Sequence, residues 1–452
     1  MILKYKNPAL PVEERIDDLM ERMTFEQKID QITCLVTITK DLPNFREYIP
    51  EGIGNVGAFT TSESVEKIAE YVQALQEYLI KETELGIPAL IHCEASAGAQ
   101  FTEADVFPSA IAQASTFDTK IISEMADVIR EQLRLVGFRQ ALSPVVDIAR
   151  DPRWGRTTET YGEDPTLTSA MASAFVRSLQ TEDKRNGVIA TAKHYVAHGV
   201  TEGGLNMGRS LVSDRELREV HCKPFQCAIT ESGLGSVMES YCTLNGEPVV
   251  GSYKLLTEIL RDQMGFKGIV VSDYVALDRM IDPFCITDNF QDAGIRAIQA
   301  GLDVEYPRPK GYTYQLKEAV KEGRLSQDVI DRAVRRVLKS KFELGLFEDP
   351  YPHIEELKRI LHQKKTDALN EKIARESFIL LKNKGNLLPL NRGVKKIAVL
   401  GPHANSLRSY FGTFSYPACL DMTDAREAEG QEFPEPGLIV YDISQEYPGK
   451  VR

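Results

Sequence analysis

The residues able to do chemistry in this sequence sit at the ends of short apolar runs. Asp273 ends Gly268-Ile269-Val270-Val271-Ser272. A carboxylate in that position either caps the next helix, which Asp does well, or serves as a nucleophile or general base. Lys193-His194 ends Ile189-Ala190-Thr191-Ala192. A lysine there can pair with a carboxylate, bind hydroxyls or form a Schiff base, and His194 can donate a hydrogen bond. Glu94 and Tyr241 end two further runs. His198, with Glu202 nearby, has His-x3-His spacing to His194. Such a pair needs a helix to align it, and Gly199, Gly203 and Gly204 read as loop, so no metal site is expected.

Arg150-Asp151-Pro152-Arg153-Trp154-Gly155-Arg156 is the most distinctive stretch, and it holds the only Trp of the chain. Arginines in a tight Pro/Gly loop suit a hydrogen-bonding fork aimed at a polar ligand or a carboxylate. One is expected at the ligand. The others are expected to pair with Asp151, Glu159 or Glu163.

The elements that must position these groups alternate. Apolar runs at Gly54–Phe59, Pro88–Glu94, Phe138–Ala149, Val188–His194, Ser236–Tyr241, Gly268–Asp273 and Leu302–Tyr306 read as strands. Helical patterns at Val65–Leu79, Asp118–Leu135, Glu216–Thr230 and Lys254–Met264 lie between them. Strand–helix alternation implies an α/β fold with a parallel sheet. So many strands in one stretch fit a (β/α)8-type, TIM-like barrel better than an open sheet. Such barrels gather catalytic side chains at the C-terminal ends of their strands. Ahead of this region, Val12, Ile16, Leu19, Met20 and Met23 recur at helical spacing. Thr24-Phe25-Glu26-Gln27 reads as a capping box. Beyond it, Ser326 is a plausible N-cap for a helix carrying Val334 and Leu338. The organisation expected is a barrel with N-terminal helices over 1–345, a linker over 346–372, and the start of an α/β sandwich domain over 373–452. Phe347–Pro352 reads as the linker stretch itself; a helix to about Lys382 is expected next, then strands at Lys396–Leu400 and Leu438–Tyr441.

The chain has 452 residues, with 54 Lys and Arg against 66 Asp and Glu, a net charge of −12. That balance argues against a nucleic-acid partner and against docking on anionic lipid. Seven cysteines at irregular spacing do not form a disulfide framework. No run approaches a membrane span, and the first residues lack the apolar core of a signal peptide, so a cytoplasmic location is expected. No GxGxxG or GxxxxGK[ST] follows a strand, so no nucleotide cofactor is expected. A homo-oligomer is compatible with the sequence.

Seven segments together resemble the family-3 glycoside hydrolases. They are Val12–Asp30, Arg150–Pro165 (RDPRWGRTTETYGEDP), Ala192–Gly199 (AKHYVAHG), Thr201–Asn206 (TEGGLN), Gly268–Leu277 (GIVVSDYVAL), Ala300–Tyr306 (AGLDVEY) and Ala374–Leu390 (ARESFILLKNKGNLLPL). The similarity runs to about Pro417. The resemblance implies a cofactor-free retaining exo-β-glycosidase acting on a β-glycoside or oligosaccharide, a β-glucosidase first of all. It implies that Asp273 is the nucleophile and that Glu94, Arg156, Lys193, His194 and Tyr241 bind the terminal sugar. Lys193 and Arg156 are then expected to keep Asp273 ionised.

Two departures stand out. The family usually has Glu-Ala-Leu-His-Gly where this chain has Glu94-Ala95-Ser96-Ala97-Gly98. The acid/base glutamate of most two-domain members lies well beyond Lys396–Pro402, and its motif is not found before Arg452. The chain is therefore expected to stop within its second domain without that residue. A branch lacking the sandwich uses a loop His in a KHFPGHG-type motif. Here KHYVAHG continues as TEGG, as in the two-domain branch, so His198 is expected to be structural. A β-xylosidase or α-arabinofuranosidase of the same family, a non-catalytic sugar-binding remnant, and a Schiff-base aldolase using Lys193 are the competing readings.

Overall fold

The computed structural model describes residues 3–36, 44–58, 63–401, 404 and 411–420. Its centre is a curled sheet of parallel strands in sequential order: β1 (Cys34–Val36), β2 (Asn55–Gly57), β3 (Leu90–Cys93), β4 (Gln140–Ala141), β5 (Ile189–Tyr195), β6 (Ser236–Glu239) and β7 (Ile269–Val271). Every residue of β3, β5, β6 and β7 is buried. Strands covered on both faces need apolar residues at successive positions, and this explains why they read as continuous runs. The run Leu302–Tyr306 forms no named strand. It bridges both edges of the sheet instead, Val304 to Val271 and Glu305 to Thr33, each parallel. The Ser272 N–H donates to the Val304 carbonyl (2.9 Å) and the Glu305 N–H to the Ile32 carbonyl (3.1 Å).

Amphipathic helices cover the sheet. α1 (Val12–Arg22) and α2 (Phe25–Gln31) precede β1; Thr24 and Gln27 form the expected capping box. α3 (Val65–Glu82), α4 (Thr119–Val136), α5 (Pro165–Gln180), α6 (Lys223–Ser232) and α7 (Lys254–Gln263) follow β2, β3, β4, β5 and β6 in turn. α8 (Ala276–Ile281), α9 (Phe290–Ala300) and α10 (Gln327–Glu343) come after β7, and Ser326 caps α10 by accepting from the Asp328 N–H. Each interstrand helix starts or stops on a residue suited to it. Asp118 accepts the Lys120 and Ile121 N–H groups, and Gly137 ends α4 in the left-handed region at φ 94°.

The C-terminal part departs from expectation. After the Phe347–Pro352 stretch, where one helix was expected, the chain forms two, α11 (Ile354–Ile360) and α12 (Lys364–Glu376). The helix ends at Glu376 rather than near Lys382. Lys396–Leu400, expected to be a buried strand, has no ladder partner among the described residues, and Val399 and Leu400 are exposed. A strand needs a neighbour to satisfy its backbone groups. Leu438–Tyr441 lies outside the described residues. Ala418 and Cys419 are buried, and the Gln100 side chain donates to Cys419 Sγ.

Candidate active site

The C-terminal ends of β3, β5, β6 and β7, with the loop after β4 that carries Arg156, bring together all six residues expected at the site. Asp273 lies two residues past β7 and is 7% exposed. It does not cap α8: the cap position is Val275, and no side chain accepts there. Asp273 Oδ1 instead accepts the Tyr274 N–H (2.7 Å). Oδ2 lies 3.7 Å from His194 Nε2 and has no hydrogen-bond partner among the described residues. Burial raises the Asp273 carboxyl above its ordinary range, while Arg156, Lys193, the Tyr274 N–H and the neighbouring Tyr241 hydroxyl pull it down. The two cations act in the expected direction, but desolvation outweighs them.

His194 is held from three sides. Its Nδ1–H donates to Asp147 Oδ2 (2.7 Å), the same oxygen that accepts the His194 main-chain N–H (3.1 Å). Arg156 Nη2 donates to His194 Nε2 (2.9 Å). This pattern sets the neutral tautomer with the proton on Nδ1. Burial, then Arg156, holds the imidazole well below its usual range. Burial lifts Asp147 to about 7 against the pull of Arg156. Arg156 also donates to Glu159 Oε2 (3.0 Å). Desolvation alone would lower the guanidinium, but Glu159 and Asp273 reverse this and raise it. Arg153 pairs with Asp151 on the surface, as expected, while the Glu159 pair is made by the inner Arg156.

Lys193 Nζ donates to Glu94 Oε1 (2.5 Å), and Glu94 Oε2 is buried without a partner. Burial raises Glu94, and Lys193 opposes it. The loop that carries Glu94 turns at Gly98, φ 110°, where a Cβ would lie 2.2 Å from the Asp105 carbonyl oxygen. Only glycine fits there. The Tyr241 phenol is raised well above its usual range by burial and then by Asp273. Its ring stands edge-on to His198, 6.0 Å between centroids. His198 donates from Nε2 to the Asn206 carbonyl (2.7 Å), and Trp154 donates from Nε1 to Asn206 Oδ1 (3.1 Å).

Asp147, His194 and His198 offer metal-type donor atoms within 4.8 Å of one another. They do not suit a cation. Both His194 nitrogens are engaged, one of them by the Arg156 guanidinium, and a fixed positive charge at that distance repels a second.

Three residues escaped the sequence reading. Glu159 was considered only as a partner for an arginine, which it is for Arg156, and it lies buried beside the site, 4% exposed. Glu239 lies inside a run read as apolar, and its Oε1 accepts the Asp273 N–H (2.9 Å). Phe414, from the stretch 411–420, sets its ring 4.7 Å from Lys193 Nζ and 5.9 Å from Arg156 Cζ. Nothing local in the sequence ties Phe414 to these cations.

A buried carboxylate at a strand end, ringed by donors from neighbouring strands, makes a site able to hold a small polar ligand on an α/β scaffold. Residues 24–340 match the glycosyl hydrolase family 3 N-terminal domain, and the chain belongs to that family. A β-xylosidase of Formosa agariphila is 37% identical over 77% of this chain and 50% of its own length. A periplasmic β-glucosidase of Salmonella typhimurium is 32% identical over 88% of this chain and 52% of its own. The β-glucosidase structure from Listeria innocua with glucose superposes with a TM-score of 0.76 at 30% identity, covering 84% of this chain and 53% of that one. An Erythrobacter marinus β-glucosidase structure gives 0.81 at 31% identity over 86% and 52%. The chain thus spans about half the length of these relatives.

Proposed function

We propose that this chain hydrolyses terminal, non-reducing β-D-glucosyl residues by a retaining double displacement with Asp273 as nucleophile. The observation that carries the reading is Asp273 Oδ2, a buried carboxylate oxygen without a hydrogen-bond partner beside His194. In the first step Oδ2 attacks the anomeric carbon, the glycosidic C–O bond breaks, and the leaving oxygen takes a proton. In the second, water attacks the same carbon, its proton departs, and Asp273 is released. Glu94, Arg156, Lys193, His194 and Tyr241 bind the sugar hydroxyls. Their mutual hydrogen bonds hold them rigid before substrate arrives. The scaffold is a (β/α)8-type barrel, with the bridges at Val304 and Glu305 taking the place of its eighth strand.

The proton donor is assigned to none of the described carboxylates. Glu94 is bonded to Lys193, Asp147 to His194, Glu159 to Arg156 and Glu239 to the Asp273 N–H. Absence of general acid–base help costs roughly 10²–10⁴-fold, least for aryl glycosides whose leaving group needs little protonation. β-Xylosidase activity is the second reading, favoured by the name of the Formosa relative.

The test is turnover of p-nitrophenyl β-glucoside and β-xyloside, with and without azide, beside Asp273→Ala. Azide attacks without a general base. Turnover raised by azide and lost in the variant supports an intact nucleophile with its acid/base missing. Turnover indifferent to azide means the acid/base residue is supplied. Sugar binding without turnover in any arm overturns the hydrolase reading.

A further inference from the structure

Glu239 ends β6 and is fully buried. Oε1 accepts the Asp273 N–H at 2.9 Å, while Oε2 is buried with no hydrogen-bond partner among the described residues. Three titratable groups act on it or feel its charge: Asp273 past the end of β7, and Tyr241 and Cys242 just past β6. All three become negative on ionising, so none offsets a charge on Glu239. Tyr195, its ladder neighbour on β5, turns its hydroxyl away to the Leu255 carbonyl. A buried carboxylate without a cation is among the costliest groups in a protein, and its protonated form is far cheaper.

We propose that Glu239 is a positioning residue for Asp273, working as a neutral carboxylic acid that anchors the Asp273 main chain and confines the strand ends to one nucleophilic charge. The inference rests on Asp273 being the nucleophile. Two adjacent carboxyls cannot both ionise cheaply, so their environments must divide the roles. Arg156 and Lys193 favour the charge on Asp273. Burial and the Asp273 charge hold Glu239 protonated and outweigh the Asp273 N–H, which alone pulls the other way. As pH rises far enough to ionise Glu239, a second negative charge arrives beside Asp273, and activity falls.

The test uses the full chain with E239Q and E239L. The infrared difference between wild type and E239Q at neutral pH is expected to show a protonated-carboxyl C=O band that the variant lacks. A carboxylate band in its place overturns the proposal. In kinetics on p-nitrophenyl β-glucoside, E239L is expected to lose about 10-fold in kcat with KM little changed, the scale of one lost hydrogen bond. E239Q, whose amide oxygen accepts the same N–H, is expected to recover most of that loss and to move the alkaline limb upward. An unmoved limb overturns the proposal. Stability gives a reading independent of turnover. A carboxyl raised in the folded state destabilises as pH rises, so the stability of E239Q relative to wild type is expected to grow with pH; a constant difference overturns it. Full turnover in Asp273→Ala removes the nucleophile reading alone, because the infrared band still reports the state of Glu239.

Discussion

Two buried aspartates flank β7, and the fold treats them in opposite ways. Asp303, beside the start of the strand, has both carboxylate oxygens occupied: Oδ2 accepts from Arg261 (2.6 Å) and the Val270 N–H (2.8 Å), and Oδ1 from Arg336 (2.7 Å). Asp273, past the end of the strand, keeps Oδ2 without a bond. The cations near Asp273 are already committed, Lys193 to Glu94 and Arg156 to Glu159 and His194. A carboxylate whose bonds are all made ties an α7–β7–α10 corner together. A carboxylate left with an open oxygen stores desolvation cost that a substrate can relieve. The open oxygen alone does not mark the reactive group, since Glu94 and Glu239 each keep one too; Asp273 adds Arg156 and Lys193, which favour its charge.

Substitution can break this contrast. Asp273→Ala is expected to lower kcat/KM on p-nitrophenyl β-glucoside by about 10³-fold or more, with thermal stability unchanged or raised because an unpaired buried carboxylate is gone. Asp303→Asn is expected to do the reverse. It leaves Arg261 buried against an uncharged partner and costs about 3–5 kcal/mol in denaturant unfolding, with kcat per folded molecule unchanged. If the two variants give similar profiles, the contrast fails. Asp147→Ala removes the acceptor that fixes the His194 tautomer, and about 10–100-fold loss of activity is expected, the usual scale for an orienting partner.

Smaller effects sharpen the picture. Asp273 must be ionised to attack, and burial raises its pKa. The acid limb of kcat/KM is therefore expected above the ordinary Asp range near ~3.9, with activity lost as pH falls through it. An acid limb below that range would show that Arg156 and Lys193 outweigh burial. Phe414→Ala removes a cation–π contact with Lys193, and a change of about 0.5–1 kcal/mol in apparent substrate binding is expected.

Much of this was legible in the chain itself. Runs such as Ile189–Tyr195 and Ile269–Val271 are unbroken because both faces are buried, and a polar residue ending such a run marks the strand end where a site forms. β1 was not legible, since three residues between a helix and an undescribed segment give no period. The strand expected at Phe138–Ala149 shrinks to Gln140–Ala141, with one further bridge from Val145 to Lys193. Apolar content there serves packing rather than pairing. Glu239 was hidden because one carboxyl within an apolar run looks like a solvent-facing position, and only the fold shows that it meets Asp273. Phe414 joins Lys193 and Arg156 across more than two hundred residues, a contact no local pattern encodes.

The most direct measurement is trapping with 2-deoxy-2-fluoro-β-glucosyl fluoride, whose fluorine slows release of a covalent intermediate more than its formation. Digestion and mass spectrometry are expected to find one adduct per chain, on Asp273, that azide releases. An adduct on Glu94 or Glu159, or continued turnover with no adduct at all, would contradict the assignment of Asp273 as the nucleophile.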